Sequence, residues 1–261
     1  MPITLDVQDG IARLTLVSGA TRNPINPDFT AALQAHGAAL AAREDVRVVV
    51  LRAEGPAFCV GGDLDWMAAL DPEEVEPELY DLAAGLHVGI EALVTLDAPL
   101  LTAVHGAAAG AGLSLTCASD VVIAGESAMF TVAYTAAGLS PDGGLTWYLP
   151  RIVGLRKATE LILTNARLSA RDAAEIGIVT RVVPDADLDE ATEAMARALS
   201  AGATAAYGSA RRLLRESGTR LLHEHLADEA TTVARHAAGV DGREGISAFV
   251  SKRRPAFQGR S

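Results

Sequence analysis

An α/β core followed by a C-terminal helical region is the fold class that the sequence predicts, and three observations carry it. Short β-branched runs alternate with stretches of helical composition from Ile3 to Val183. Two of those runs lead into glycine-rich corners, at 55–62 and 105–112. Beyond Asp187 the chain reads as helix, with Gly202, Gly218 and Gly242 as expected breaks. Residues 1–200 are therefore expected to form the α/β core and 201–261 the helical region. No internal repeat, linker or low-complexity segment interrupts this order.

Taken in order, Ile3–Val7 and Ile11–Leu16 alternate around Asp9-Gly10, a pair that tolerates the positive φ angles of a tight hairpin. Asn26-Pro27 reads as an N-cap with Pro at the first helical position, opening a helix to about Ala42. Val46–Arg52 has the composition of a buried strand. An acidic helical region is expected from about Asp63 to Leu96, then a strand at Pro99–Val104. The loop 105–112 should contain the start of a helix running to Cys117, followed by a strand at Asp120–Ala124. From Ala128 the pattern is irregular until Gly138–Leu149, and Gly154–Leu163 is predicted helical. Ser169 with Asp172 forms a capping-box pattern for a helix ending near Gly177, and Val179–Val183 is the last strand.

Composition excludes several function classes. A formal net charge of −11 disfavours a duplex nucleic-acid partner, and no basic run reverses it locally. Cys59 and Cys117 are too few for a disulfide framework or a zinc site of their own. None of the six histidines has metal-ligand spacing, and His223 and His225, two apart on a predicted helix, face different directions. No metal and no separate cofactor is expected. The N-terminus has no signal-peptide pattern and no run approaches 18 apolar residues, so neither a membrane span nor secretion is expected, and the cytoplasm is the expected compartment. Gly106, Gly110 and Gly112 lack dinucleotide-fingerprint spacing, no P-loop is present, and Gly112–Thr116 fails the nucleophile-elbow pattern at its last position. His105 and Cys59 read as packed or hydrogen-bonded residues.

The chemistry points to the two glycine corners. Small residues let a ligand approach the main chain, and a helix start leaves N–H groups unpaired. Two such N–H groups from different strands would form an oxyanion hole; the plainer alternative is that the glycines permit tight turns. Asp142, on a predicted turn before a helix, reads either as a carboxylate acid/base or as the helix N-cap.

The segment Ala57-Phe58-Cys59-Val60-Gly61-Gly62-Asp63-Leu64 resembles the first oxyanion motif of the crotonase (enoyl-CoA hydratase/isomerase) superfamily. Ala103-Val104-His105-Gly106, with the stretch to Gly112, resembles the second. Thr21-Arg22-Asn23-Pro24-Ile25-Asn26 is similar to the family's early CoA-contacting turn, and Asp241–Phe249 to its C-terminal helix start. The four matches lie in the family's order and span nearly the whole chain. The resemblance implies a crotonase-like fold of repeated ββα units, an acyl-CoA substrate, and a homotrimer or dimer of trimers whose C-terminal helices associate and cover the site.

By that resemblance the N–H donors are Gly62 and Ala111, with Ala111 standing where the family usually has glycine. Substrate contacts are implied for Arg22, Pro24, Val60, Gly61, Asp63, Leu64, Gly110, Ser114, Tyr134 and Phe249, and for Lys252 from a neighbouring subunit. Asp65 is a candidate second acid. Enoyl-CoA hydratases carry two glutamates, whose positions fall here on Ser114 and Tyr134, neither of them a carboxylate. The run Gly138–Trp147 around Asp142 is instead similar to the 1,2-epoxyphenylacetyl-CoA isomerase and 4-chlorobenzoyl-CoA dehalogenase branches. A single carboxylate suffices for a proton shift beside an oxyanion hole, so an isomerase using Asp142 is expected. Three other readings stay open: a hydratase with an atypical acid/base set, a dehalogenase or thioesterase using Asp142, and a CoA-thioester-binding protein without turnover.

Overall fold

The structure, a computed structural model, describes residues 1–259; the last two residues of the expected range 201–261 lie outside the described residues. Strands β1 (Ile3–Gln8) and β2 (Ile11–Leu16) pair antiparallel, and Asp9 and Gly10 make the two-residue turn at φ 53° and 75°. Helix α1 (Pro27–Ala41) starts where expected, with the Asn26 side chain accepting the Phe29 N–H at 3.1 Å. Then come β3 (Val48–Ala53), α2 (Leu64–Ala68), α3 (Val75–Val94), β4 (Leu100–Val104), β5 (Ala107–Ala109) and α4 (Ala111–Cys117). They are followed by β6 (Val121–Gly125), β7 (Met129–Thr131), α5 (Leu145–Val153), α6 (Leu155–Thr164) and β8 (Leu168–Ser169). Helix α7 (Ala170–Glu175), β9 (Arg181–Val183), α8 (Leu188–Ser200), α9 (Thr204–Glu216), α10 (Leu222–Ala238) and α11 (Val240–Val250) complete the chain.

Six strands form one sheet in the order β1-β2-β3-β4-β6-β9, parallel except for the opening hairpin. Parallel strands are buried on both faces, which explains the unbroken apolar run of β3. Its period of two divides that run between two cores. Val49 and Leu51 face Phe29 and Leu33 of α1 and Leu86, Ile90 and Leu93 of α3. Val48 and Val50 pack with Leu101, Ala103 and Ile123 against Leu188 and Ala196 of α8. A second sheet, β5-β7-β8, stands beside the ends of β3 and β4.

Helix α9 is held to this core by the buried Arg211. Its guanidinium donates to Asp120 Oδ1 at 2.8 Å, to the Ala98 and Val94 carbonyls at 3.0 and 3.2 Å, and to that of Leu96. Asp120 in turn accepts the Leu100 N–H at 2.7 Å, so one ion pair ties the helical region to the start of β4.

Four expectations are corrected. The acidic region 63–96 is two helices, because Pro72 lacks an N–H and disfavours helical backbone at Asp71. Residues 107–109 are a strand, drawn out by partners rather than by β-propensity, since all three are alanine. The irregular stretch after Ala128 contains β7. Gly242 lies inside α11 and the break is at Gly239; a Cβ at 242 would overlap the His236 carbonyl, so this glycine lets α11 fold back on α10. The Ser169–Asp172 capping box is present as expected.

Both cysteines are buried and free, and burial pushes each thiol up to about 12. In the unfolded chain they ionise from about pH 8.5. The folded state therefore holds protons that the unfolded state loses, and stability falls as pH rises from there toward 12. Denaturant unfolding at pH 8 and at successive points to pH 10.5 should show a decline approaching about 1.4 kcal/mol per pH unit per thiol. Cys117→Ala should remove one thiol's share of that slope.

Candidate active site

The loops after β3 and β4 are paired to each other. Phe58 N–H donates to the His105 carbonyl at 3.0 Å, Cys59 N–H to Ala107 at 3.1 Å, and Ala109 N–H back to Cys59 at 2.9 Å. On the other side the first loop meets the turn before α1. Val60 N–H donates to Arg22 at 3.3 Å, Ile25 N–H to Gly61 at 2.8 Å and Asp63 N–H to Ile25 at 2.9 Å. The buried Asn23 amide clamps this junction, donating to the carbonyls of Glu54, Ala57 and Phe58 at 3.0, 3.0 and 3.1 Å. Gly112 is required here, because any Cβ would overlap the Cys59 carbonyl oxygen.

This pairing uses most of the first loop's amides. The N–H of Gly62 has no partner among the described residues. The N–H of Ala111 has none either, since it opens α4. Both residues line one cavity, so two free donors are available to an oxygen atom placed there.

The same cavity receives Asp142. The carboxylate does not cap α5, whose start has no side-chain cap; its Oδ1 accepts the Tyr134 hydroxyl, and Oδ2 has no partner among the described residues. Ser114 Oγ lies 3.1 Å from the Tyr134 oxygen and donates to the Asp142 carbonyl at 3.0 Å. The turn is held from a further side by His87 of α3, whose Nε2 accepts the Gly143 N–H at 3.0 Å. Burial, and then the negative charge of Asp142, push the Tyr134 hydroxyl well above the ordinary tyrosine range, so it stays protonated and donating.

The cavity holds about 260 Å³. Of the expected site residues, Val60, Gly61, Gly62, Leu64, Gly110, Ala111, Tyr134 and Asp142 line it, and Ser114 is buried behind Tyr134. Asp63 does not; its side chain caps α2 at the Trp66 N–H, 3.1 Å away. Arg22 is exposed and Pro24 half-buried beside the first loop, and neither lines the cavity. Phe249 and Lys252 are exposed in and just after α11, away from that lining, and Asp65 is exposed on α2. His105 bonds the Gly55 carbonyl at 2.8 Å. No group of three or more metal-ligating side chains occurs among the described residues, and no helix there is long and apolar enough to cross a membrane.

Two features escaped the sequence reading. One is His87, which nothing local distinguishes from a solvated helical histidine. The other is the apolar wall of Leu79, Leu82, Ala83 and Leu86, joined by Met67 and Leu139. The i, i+3, i+4, i+7 spacing of the four α3 residues carried that signal, although it equally describes an ordinary core face.

The model of the enoyl-CoA hydratase/isomerase family matches residues 6–260. The chain is 38% identical to a probable enoyl-CoA hydratase of Rhodobacter capsulatus, covering 99% of this chain and 98% of that protein. It is 34% identical to the 1,2-epoxyphenylacetyl-CoA isomerase of Escherichia coli, over 97% of each. The crystal structure of an enoyl-CoA hydratase from Polaromonas sp. JS666 superimposes with a TM-score of 0.93 at 35% identity, covering 98% and 99% of the two chains.

Gly112→Ala should separate the paired loops and cost about 1–3 kcal/mol, the usual range for overpacking. Thermal unfolding should show a lowered Tm for this variant. Gly218→Ala, where an added Cβ meets nothing within 4 Å, should leave Tm unchanged or raise it slightly.

Proposed function

Because the chain belongs to the enoyl-CoA hydratase/isomerase family, we propose that it is an isomerase, moving a proton along the acyl chain of a CoA thioester with Asp142 as both base and acid. The observation that carries this is the number of carboxylates: the cavity lining contains one, Asp142. At the positions where the resemblance expects two glutamates, Ser114 and Tyr134 instead form a hydrogen-bonded support for it.

The thioester carbonyl oxygen accepts from the free N–H groups of Gly62 and Ala111. Each such donor is typically worth about 3 kcal/mol once negative charge develops on the oxygen. Asp142 Oδ2, the oxygen that Tyr134 leaves free, removes a proton from one carbon. The electrons pass to the carbonyl oxygen as an enolate, and the same carboxyl returns the proton at a second carbon. No atom is gained or lost, and no second carboxylate is needed.

A volume of about 260 Å³ is small beside the roughly 300–1,000 Å³ of pockets that enclose a drug-sized ligand. It suits the thioester and acyl group, leaving the nucleotide part of CoA outside. We place that part along the turn bearing Arg22 and Pro24, with Lys252 reaching it from a neighbouring subunit. CoA arrives as part of the substrate, and the chemistry calls for no separate cofactor. The name of the Rhodobacter capsulatus relative favours a second reading, in which Asp142 directs water onto the double bond.

Self-association belongs to the same proposal. Helices α10 and α11 expose Leu226, Val233, Ile246, Phe249 and Val250, with Phe249 87% accessible. Apolar surface of this kind is what subunit interfaces cover. We propose a homotrimer or a dimer of trimers that places Phe249 and Lys252 against a neighbour.

Incubating 2-enoyl- and 3-enoyl-CoA thioesters in deuterated water, with mass spectrometry as the readout, tests the chemistry. Double-bond migration without gain of water is expected, with deuterium entering where the carboxyl proton exchanges with solvent before it is returned, and Asp142→Asn should lower its rate by about 10²–10⁴-fold. Gain of water would establish the hydratase reading instead. Light scattering should return three or six times the 27.0 kDa chain mass, reduced by Phe249→Glu combined with Val250→Glu.

A further inference from the structure

We propose that the site takes acyl groups that are uncharged to their far end and excludes acyl-CoA thioesters whose acyl chain terminates in a carboxylate. The inference rests on the acyl-CoA reading above and concerns the wall around the acyl group, not the reacting atoms.

Apart from Ile25, every residue lining the cavity falls between Val60 and Asp142. They belong to a longer stretch, 53–150, that contains no Lys or Arg and fourteen Asp or Glu. The wall that receives the acyl group is therefore built from a segment that cannot supply an ammonium or guanidinium. Its two histidines are already engaged, His87 accepting from Gly143 and His105 bonded to the Gly55 carbonyl.

The polar atoms that do reach the cavity are also committed or of the wrong sign. Tyr134 donates its one proton to Asp142, and Asp142 itself repels a second anion. The free Gly62 and Ala111 amides belong to the thioester oxygen, and Ser140 is exposed. The rest of the wall is aliphatic: Leu64, Met67, Leu79, Leu82, Leu86 and Leu139.

The rim acts in the same direction. Asp71, Glu73, Glu74, Glu76, Glu78 and Asp81 are all exposed on the connection from α2 into α3 and on the first turns of α3, the two helices that supply Leu64, Met67, Leu79 and Leu82. A carboxylate entering here loses its water without gaining a partner, and it approaches a surface of its own sign.

The test is calorimetric and uses two saturated thioesters of equal length, hexanoyl-CoA and adipyl-CoA, with free CoA as reference. Neither contains a double bond, so binding is read independently of isomerisation. The wild type should bind hexanoyl-CoA at least about thirtyfold more tightly, in line with the cost of burying an unpaired charged group. Leu79→Arg places a cation on the half-buried wall and should bring the two within about threefold or reverse them. Leu64→Arg, at a position already 58% accessible, repeats the test where folding is least at risk. Wild-type affinities within threefold of each other, or a preference unmoved in a folded arginine variant, would overturn the inference. So would hexanoyl-CoA binding no better than free CoA, which would also remove the acyl-CoA reading beneath it. A failed deuterium experiment with the binding preference intact would remove the isomerase assignment alone.

Discussion

The mutual pairing of two glycine loops is the constraint on which the rest of the molecule depends. Strands β3 and β4 are neighbours in the main sheet, and each ends in a loop that must turn away from it. Instead of diverging, the loops continue side by side through the Cys59–Ala108 bridge, with the turn at 22–25 completing the other flank. A hydrogen-bonded backbone satisfies its own N–H groups wherever it can. Here the geometry satisfies all but a few, and two of the remainder, at Gly62 and Ala111, open into one cavity. The donors are therefore a by-product of how the loops are joined. Their positions are as rigid as the sheet that sets them, which is what preorganised stabilisation of a developing charge requires.

Much of this was legible in the sequence where the signal is local. The Asp9-Gly10 hairpin, the Asn26 cap and the Ser169–Asp172 box each need only a few consecutive residues, and each is present. The glycine motifs were legible through family resemblance, because their spacing reflects a shared backbone path. Signals that depend on distant partners were not. Ala107–Ala109 has no intrinsic reason to be a strand; it becomes one because Met129–Thr131 lies alongside. Gly242 looked like a helix break, yet its role is set by the His236 carbonyl of the preceding helix. Ser114 and Tyr134 were visible as departures from a glutamate pair, but their hydrogen bonds to the Asp142 turn exist only once α4 and α5 are brought together.

That last arrangement explains how a chain without the two glutamates still presents a carboxylate to the cavity. An ionised carboxylate facing Leu82 and Leu86 gives up much of its water and needs compensation. Tyr134 supplies it at Oδ1, and Ser114 and His87 hold the carbonyl and the N–H of the peptide group that follows Asp142. Tyr134 holds its proton well above the ordinary tyrosine range, so it serves the carboxylate as a donor and not as a second titrating acid.

The proton count within this group fixes the direction of its hydrogen bonds. Tyr134 has one proton and gives it to Asp142, so its oxygen faces Ser114 as an acceptor. Ser114 also has one proton, shared between that oxygen and the Asp142 carbonyl, and each lies within 3.1 Å. When Asp142 takes up a proton, its charge disappears and the phenol's hold on Oδ1 weakens, while the serine's bond to the main-chain carbonyl is unaffected. The carboxyl group is thus gripped more loosely when protonated than when ionised, although the backbone carrying it stays in place. The proposed proton shift would be served by that combination: a base fixed through its main chain, with a looser hold on its carboxyl in the protonated form.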